Sequence, residues 1–282
     1  MRNSDYPVET PLLTGALVDK IHELNIEAGR RPKAHDTRFR YSDAGGCLRK
    51  IGYESMGVDH SDPADLAGEW VMWLGSDIHE SVQLALIDLY GERCLVEATS
   101  RHDDLCSGHA DAFVILEDGR KVVYELKTKG SFGFDKAIGL RRKDYRTEIP
   151  EGPGMAAKLQ GALNAAAFEA DLLVIGVIAM EAVSKQLAER VGINARGRIM
   201  AEWHYDVGEW GPWAKAELDR LQGAADCLDA KVLPYRMAIG DEGENVFLDP
   251  EASRPPWQCV YCPFRDTCIW DGKDPVEFGR AR

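Results

Sequence analysis

Asp111, Glu125 and Lys127 stand inside a stretch, residues 105 to 130, that is otherwise built from apolar runs around the turn signal Glu117-Asp118-Gly119. A carboxylate buried without a partner is strongly disfavoured, and two facing carboxylates repel. Two arrangements would make the placement tolerable: an ion pair with Lys127, or a divalent cation shared by the acids. An ordinary ion-paired patch at a strand end is the plainer alternative.

A second group of chemistry-bearing residues lies near the C-terminus, where Cys259-x2-Cys262-x5-Cys268 follows Pro255-Pro256-Trp257. Three thiols this close in a Pro-bounded loop suit a metal. They are one short of a tetrahedral set, and Cys47, far upstream, can supply the fourth. Structural zinc usually takes two short pairs, so a one-plus-three split fits an iron–sulfur cluster better, with zinc as the alternative. Uncoordinated core cysteines are a third option. A metal there would staple the N-terminal part to the C-terminal tail. Cys94, Cys106 and Cys227 read as ordinary buried thiols.

These groups require particular elements to hold them. With Glu117-Asp118-Gly119 as a hairpin loop and Gly119 left-handed, Leu116 faces Arg120. Continuing that register puts Asp111 opposite Glu125, and Lys127 shares their face two residues on. Phe113, Ile115 and Val123 make much of that face apolar. Ala110, Ala112, Val114, Tyr124 and Leu126 take the other. A two-residue loop would instead split Asp111 from Glu125.

Upstream, a helix is expected over Leu12 to Ala28, then a basic Pro-containing loop. Ser42 or Asp43 is placed to cap a helix that carries Cys47 near its start and runs to about Met56. Apolar residues at helical spacing, among them Leu66, Trp70, Trp73, Leu74, Ile78, Val82 and Leu86, predict a long helix over Pro63 to Tyr90. His79 sits on it, and a lone helical histidine is usually structural. Cys94 to Thr99 reads as a strand leading into the hairpin. Phe132 to Pro153 reads as a mobile basic loop, and Met155 to Ala170 as a helix bearing Gln160. Leu172 to Met180 is a buried strand. Ser184 to Val191 fits either a helical turn or an insertion. A strand over Ile199 to Val207 and an amphipathic helix over Gly208 to Val232 complete the pattern. The order predicts an α/β fold, a mixed sheet with helices on both faces. It divides into a helical part (1–92), a core (93–235) and a Cys-rich segment (236–282) within one integrated domain.

The 282 residues suffice for a substantial core. No stretch approaches a membrane span and Met1 to Pro7 lacks a signal-peptide core, so a cytoplasmic protein with no membrane partner is expected. The net charge of −13 argues against unspecific nucleic-acid binding. Yet Arg120 to Arg146 holds nine Lys or Arg against three acids. Lys129, Lys136, Arg141, Arg142 and Lys143 are its candidate DNA-backbone contacts; a solvated charged face is the bland reading.

Taken in order, Cys47-Leu48-Arg49-Lys50, Gly75-x3-His79, Gly108-His109-Ala110-Asp111, Glu125-Leu126-Lys127 and the C-terminal cysteines resemble the PD-(D/E)XK nuclease superfamily. More narrowly they are similar to RecB-type exonucleases with an iron–sulfur cluster, the group containing the CRISPR-associated Cas-four family. The resemblance implies a restriction-endonuclease-like sheet closed by a 4Fe–4S cluster on Cys47, Cys259, Cys262 and Cys268. It implies His79, Asp111, Glu125 and the Leu126 carbonyl as ligands of Mg²⁺ or Mn²⁺, and Lys127 as the catalytic lysine. Gln160 matches the glutamine of the family's Q-x3-Y motif, but Asn164 stands where its tyrosine is expected. The implied activity is metal-dependent exonuclease cleavage of single-stranded DNA or DNA ends in recombination, repair or spacer processing. The alternative is a DNA-binding assembly module whose cutting depends on an integrase, helicase or recombination partner.

Overall fold

The computed structural model describes residues 37–62, 66–144, 146–240, 243–249 and 251–270. The helix expected over Leu12 to Ala28 lies outside them. Chain order gives β1 (Phe39–Arg40), α1 (Leu48–Ser55), α2 (Leu66–Tyr90), β2 (Cys94–His102), β3 (Cys106–Ile115) and β4 (Lys121–Lys129). There follow α3 (Ser131–Ala137), β5 (Leu140–Arg141), β6 (Arg146–Thr147), α4 (Met155–Ala167), β7 (Leu172–Ala179), α5 (Lys185–Val191), β8 (Met200–Asp206) and α6 (Val207–Asp229). A small hairpin, β9 (Met237–Ile239) and β10 (Asn245–Phe247), precedes two short helices, α7 (Trp257–Val260) and α8 (Arg265–Trp270).

Six strands form a mixed sheet. β2 pairs antiparallel with one edge of β3, and β4 with the other. β4 pairs parallel with β7, and β7 antiparallel with β8. The β3–β4 hairpin follows the register read from its turn: Ala112 faces Tyr124, and Leu116 N–H donates to Arg120 O at 2.9 Å. Gly119 adopts φ +87°, the left-handed residue that a three-residue loop of this kind needs. The ladder stops one pair short of Asp111 and Glu125. β1 takes over the same edge of β3 only at Cys106 and Ser107, so β3 and β4 fork between these contacts. Across β3, Glu97 opposes Asp111 with φ +48° and drops out of the β2 ladder. That distortion turns Ala110, expected beside Ala112, into the cluster of Val123, Leu173 and Ile175.

Helices cover both faces. α4 and α6 pack against each other and over Val123, Leu173 and Ile175. α2 lays Leu86 and Tyr90 over Ala112, Val114, Val122 and Val174. Among the described residues no helix is long and apolar enough to cross a membrane.

Several boundaries differ from expectation for local reasons. Cys47 itself occupies the N-cap position of α1, whereas Ser42 and Asp43 belong to a preceding 3-10 turn, Tyr41–Asp43. The Phe132 to Pro153 segment is not one loop, since it contains α3 and the β5–β6 pair. Ser184 to Val191 resolves to a helix: Ser184 Oγ accepts from Leu187 N–H, and Gly192 at φ +76° ends it. Cys94 and Cys106 are buried, but Cys227 is only half-buried.

Candidate active site

The fork in the sheet is where the acids meet. Beyond the last hydrogen-bonded pair, Asp111 turns its carboxylate between the strands, and Oδ2 accepts from Leu126 N–H at 2.7 Å. Its other oxygen, Oδ1, lies 2.9 Å from His79 Nδ1. With Nδ1 donating, the neutral ring leaves its Nε2 lone pair available as a ligand. Gly75 explains how α2 comes close enough: a Cβ there would meet Thr128 Oγ1 at 3.1 Å. His79 follows one helical turn later on the same side. The Gly75-x3-His79 spacing is thus a close approach followed by a functional group.

Glu125 points to the α4 side and is 1% exposed. Its Oε1 accepts from Lys127 Nζ at 2.8 Å, and Lys127 also donates to Gln160 Oε1 at 2.8 Å. Glu125 Oε2 is buried with no hydrogen-bond partner. Burial above all pushes the carboxyl up to about 7, and Asp111 adds to the rise; Lys127 and His79 oppose it. The structure therefore brings His79, Asp111, Glu125, Lys127 and Gln160 to one fork from α2, β3, β4 and α4.

Two carboxylates, one of them with an orphaned buried oxygen, and an imidazole nitrogen form a donor set that suits a hard divalent cation. As the side chains stand, no group of three or more His, Cys, Asp or Glu among the described residues is arranged to hold an ion. Lys127 engages Glu125, while His79 and Leu126 engage Asp111. Loading a cation would require these contacts to loosen.

The raised pKa has a measurable consequence in the metal-free protein. A carboxyl that holds its proton more tightly when folded stabilises the fold fully below about pH 4.5. That contribution is lost as pH rises through about 7. A shift of this size corresponds to about 3 kcal/mol. Urea unfolding in chelator at pH 5 and pH 8 should show wild type losing most of that amount more than Glu125→Gln. Equal losses in both proteins would refute the burial account.

Asn164, one turn after Gln160 on α4, faces the core and is fully buried. Its Oδ1 accepts from Ser100 Oγ at 2.9 Å and its Nδ2 donates to His109 O at 3.2 Å. It ties α4 to β2 and β3 and does not reach the fork. Asn164→Leu removes both of these buried bonds and should cost about 2 kcal/mol in urea unfolding.

The four cysteines line one small cavity of about 20 Å³. Burial first, and repulsion between the thiols second, pushes Cys259 up to about 11. Cys47 is held up by burial while the Arg49 and Lys50 amides pull the other way. Arg236 Nε donates to Cys268 Sγ at 3.2 Å, and its Nη2 to Cys268 O at 2.5 Å. Cys47, Cys259, Cys262 and Cys268 are the residues that would hold a thiolate-bound group, with backbone and guanidinium donors beside them; as they stand they are not arranged around an ion. Nothing in the sequence singles out Arg236, because no spacing marks it. The same holds for Ser61 and Asp62, which accept from the Thr267 and Asp266 N–H groups at 3.2 and 3.0 Å and so cap α8 from a distant segment.

The basic strip is largely compensated. Arg141 pairs with Glu148 at 2.8 Å, Lys136 with Glu151 at 3.3 Å, and Arg142 with Asp135. Glu148 and Glu151 fall just past the window that makes the sequence look so basic. Lys129 lies along β4 two residues beyond Lys127, and Lys143 is exposed.

Neither a protein-family model nor a characterised protein matches the sequence. Among solved structures, that of SSO0001 matches over 91% of this chain and 98% of its own, at 19% identity and a TM-score of 0.56. A phage-related exonuclease from Haemophilus somnus 129PT aligns over 76% of this chain and 94% of its own, at 13% identity and a TM-score of 0.41. The second likeness is too loose to carry an argument. From the first it follows that the chain shares the fold of SSO0001, a likeness of architecture that covers nearly the whole of both proteins.

Proposed function

We propose that this protein is a divalent-metal-dependent deoxyribonuclease, an exonuclease acting on single-stranded DNA or DNA ends. The observation that carries the reading is Glu125: a fully buried carboxylate with one oxygen on Lys127 and the other unpartnered, beside Asp111 and His79. A purely structural ion pair would satisfy both oxygens, because an orphaned buried acceptor is costly. In this reading His79, Asp111, Glu125 and the Leu126 carbonyl hold Mg²⁺ or Mn²⁺. The cation, when bound, neutralises the phosphodiester and lowers the pKa of an attacking water. Lys127, steadied by Gln160, orients that water and stabilises charge developing on phosphorus. Cys47, Cys259, Cys262 and Cys268 hold a 4Fe–4S cluster as structural support, with zinc as the alternative occupant.

The compensated strip favours a second reading. Cations already paired with acids give a weak grip on DNA, so cutting would depend on a partner such as an integrase or helicase. End-labelled single-stranded and duplex DNA, incubated with anaerobically purified protein and Mg²⁺ or Mn²⁺, separates the two. Metal-dependent degradation by the isolated chain supports the exonuclease. No cleavage despite measurable DNA binding supports the partner-dependent module.

A further inference from the structure

Between β4 and α4 the chain makes an excursion, residues 130–154, that leaves the sheet three residues after Lys127 and rejoins α4 shortly before Gln160. Both ends are thus anchored on elements that carry the site. The excursion packs on itself: Glu148 N–H donates to Gly139 O at 2.7 Å, and Gly152 N–H to Ala137 O at 3.1 Å. Two large apolar side chains project from it, Phe132 at 76% exposed and Ile149 at 91%. Lys136 Nζ sits 5.4 Å from the Phe132 ring centroid. In sequence, residues 129–151 carry six Lys or Arg against four acids, in a chain of net charge −13. An exposed aromatic ring with a cation beside it, on a lobe whose sequence carries a small excess of positive charge, matches a polyanion with apolar ring faces. Five residues of chain cannot place Phe132 more than about 18 Å from Lys127.

We propose that this lobe seats unpaired nucleotides of the substrate, with Phe132 as the surface on which a base stacks. The inference rests on the nuclease reading and narrows it to substrates with a single-stranded stretch. Stacking on an aromatic side chain is available to any unpaired base, whereas an intact duplex hides its base faces except at the ends. The paired cations on the lobe contribute modestly to phosphate contacts, which leaves stacking as the discriminating interaction.

The test uses full-length Glu125→Ala protein, so that binding is read without cleavage, and fluorescence anisotropy with a labelled single-stranded oligonucleotide and a blunt duplex of equal length. Adding Phe132→Ala should weaken single-strand binding about tenfold and leave duplex binding within about twofold. Adding Phe132→Trp instead should restore it. Equal single-strand affinity with and without the Phe132 ring would overturn the platform, as would equal losses on both substrates. Binding of neither DNA by the Phe132-intact protein would overturn the nuclease reading along with it.

Discussion

Glu125→Ala and Lys127→Ala should each lower metal-dependent DNA cleavage by about 10³ or more, a loss on the scale seen when a group acting on transition-state charge is removed. The two replacements have different side effects, and these separate chemistry from packing. Glu125 is buried with its carboxyl pushed up to about 7, so deleting it removes an unfavourable buried charge at pH 8. The variant should fold at least as stably as wild type while failing to cut. Lys127→Ala strips Glu125 of its cationic partner and Gln160 of a donor. Breaking a buried pair from one side costs about 3–5 kcal/mol in typical cases; here proton uptake by Glu125 limits the penalty below pH 7. The double variant Glu125→Gln/Lys127→Met leaves no charge to strand. It should regain stability in urea unfolding and remain inactive in an end-labelled DNA assay. If that double variant still cleaves with Mg²⁺ or Mn²⁺, the fork is a structural ion pair and the site lies elsewhere.

The sequence made the hairpin legible because one glycine fixed its register. Gly119 selects a three-residue loop, and the Leu116–Arg120 pairing follows from it. What it could not convey is that the ladder ends at Ala112 and Tyr124, leaving Asp111 to bind Leu126 N–H instead of facing Glu125 across a regular pair. That fork depends on β1 claiming the far end of β3, a long-range competition with no local signal. Gly75 and His79 carry a spacing that could be read, whereas the partners of Gln160 and Asn164 could not. Both lie on α4 one turn apart, yet Gln160 reaches Lys127 while Asn164 binds Ser100 and the His109 carbonyl in the core. The pairing of the basic strip was hidden for a simpler reason. A charge count over residues 120–146 leaves out Glu148 and Glu151 and does not show that Asp135 closes on Arg142.

If the four cysteines hold the proposed cluster or zinc, Cys262→Ser should abolish the metal content of anaerobically purified protein, read as iron, labile sulfide and zinc, because three thiols leave the ligand set open. From sequence alone the four cysteines are a staple whose loss should unfold the chain. The structure narrows that expectation. α8 is also held by hydrogen bonds from its Thr267 and Asp266 amides to Ser61 and Asp62, by Arg236 on Cys268, and by Phe264 packed 5.3 Å from the Tyr53 ring. The sheet has cores of its own, around Val123 and Ile175 on one face and Val114 and Val174 on the other, that include none of the four cysteines. Structural metal sites contribute on the order of 10 kcal/mol where folding and binding are coupled, far more than these few contacts. Loss of the metal should therefore release α7 and α8 and expose the 249–257 connection to protease, while the sheet still unfolds cooperatively at higher denaturant. Limited proteolysis followed by mass measurement checks this directly. Cutting near residue 250 in Cys262→Ser but not in wild type supports a local clasp. Resistance equal to wild type, with metal lost, would mean that the hydrogen bonds and Phe264 hold the segment alone and that the thiols serve another purpose.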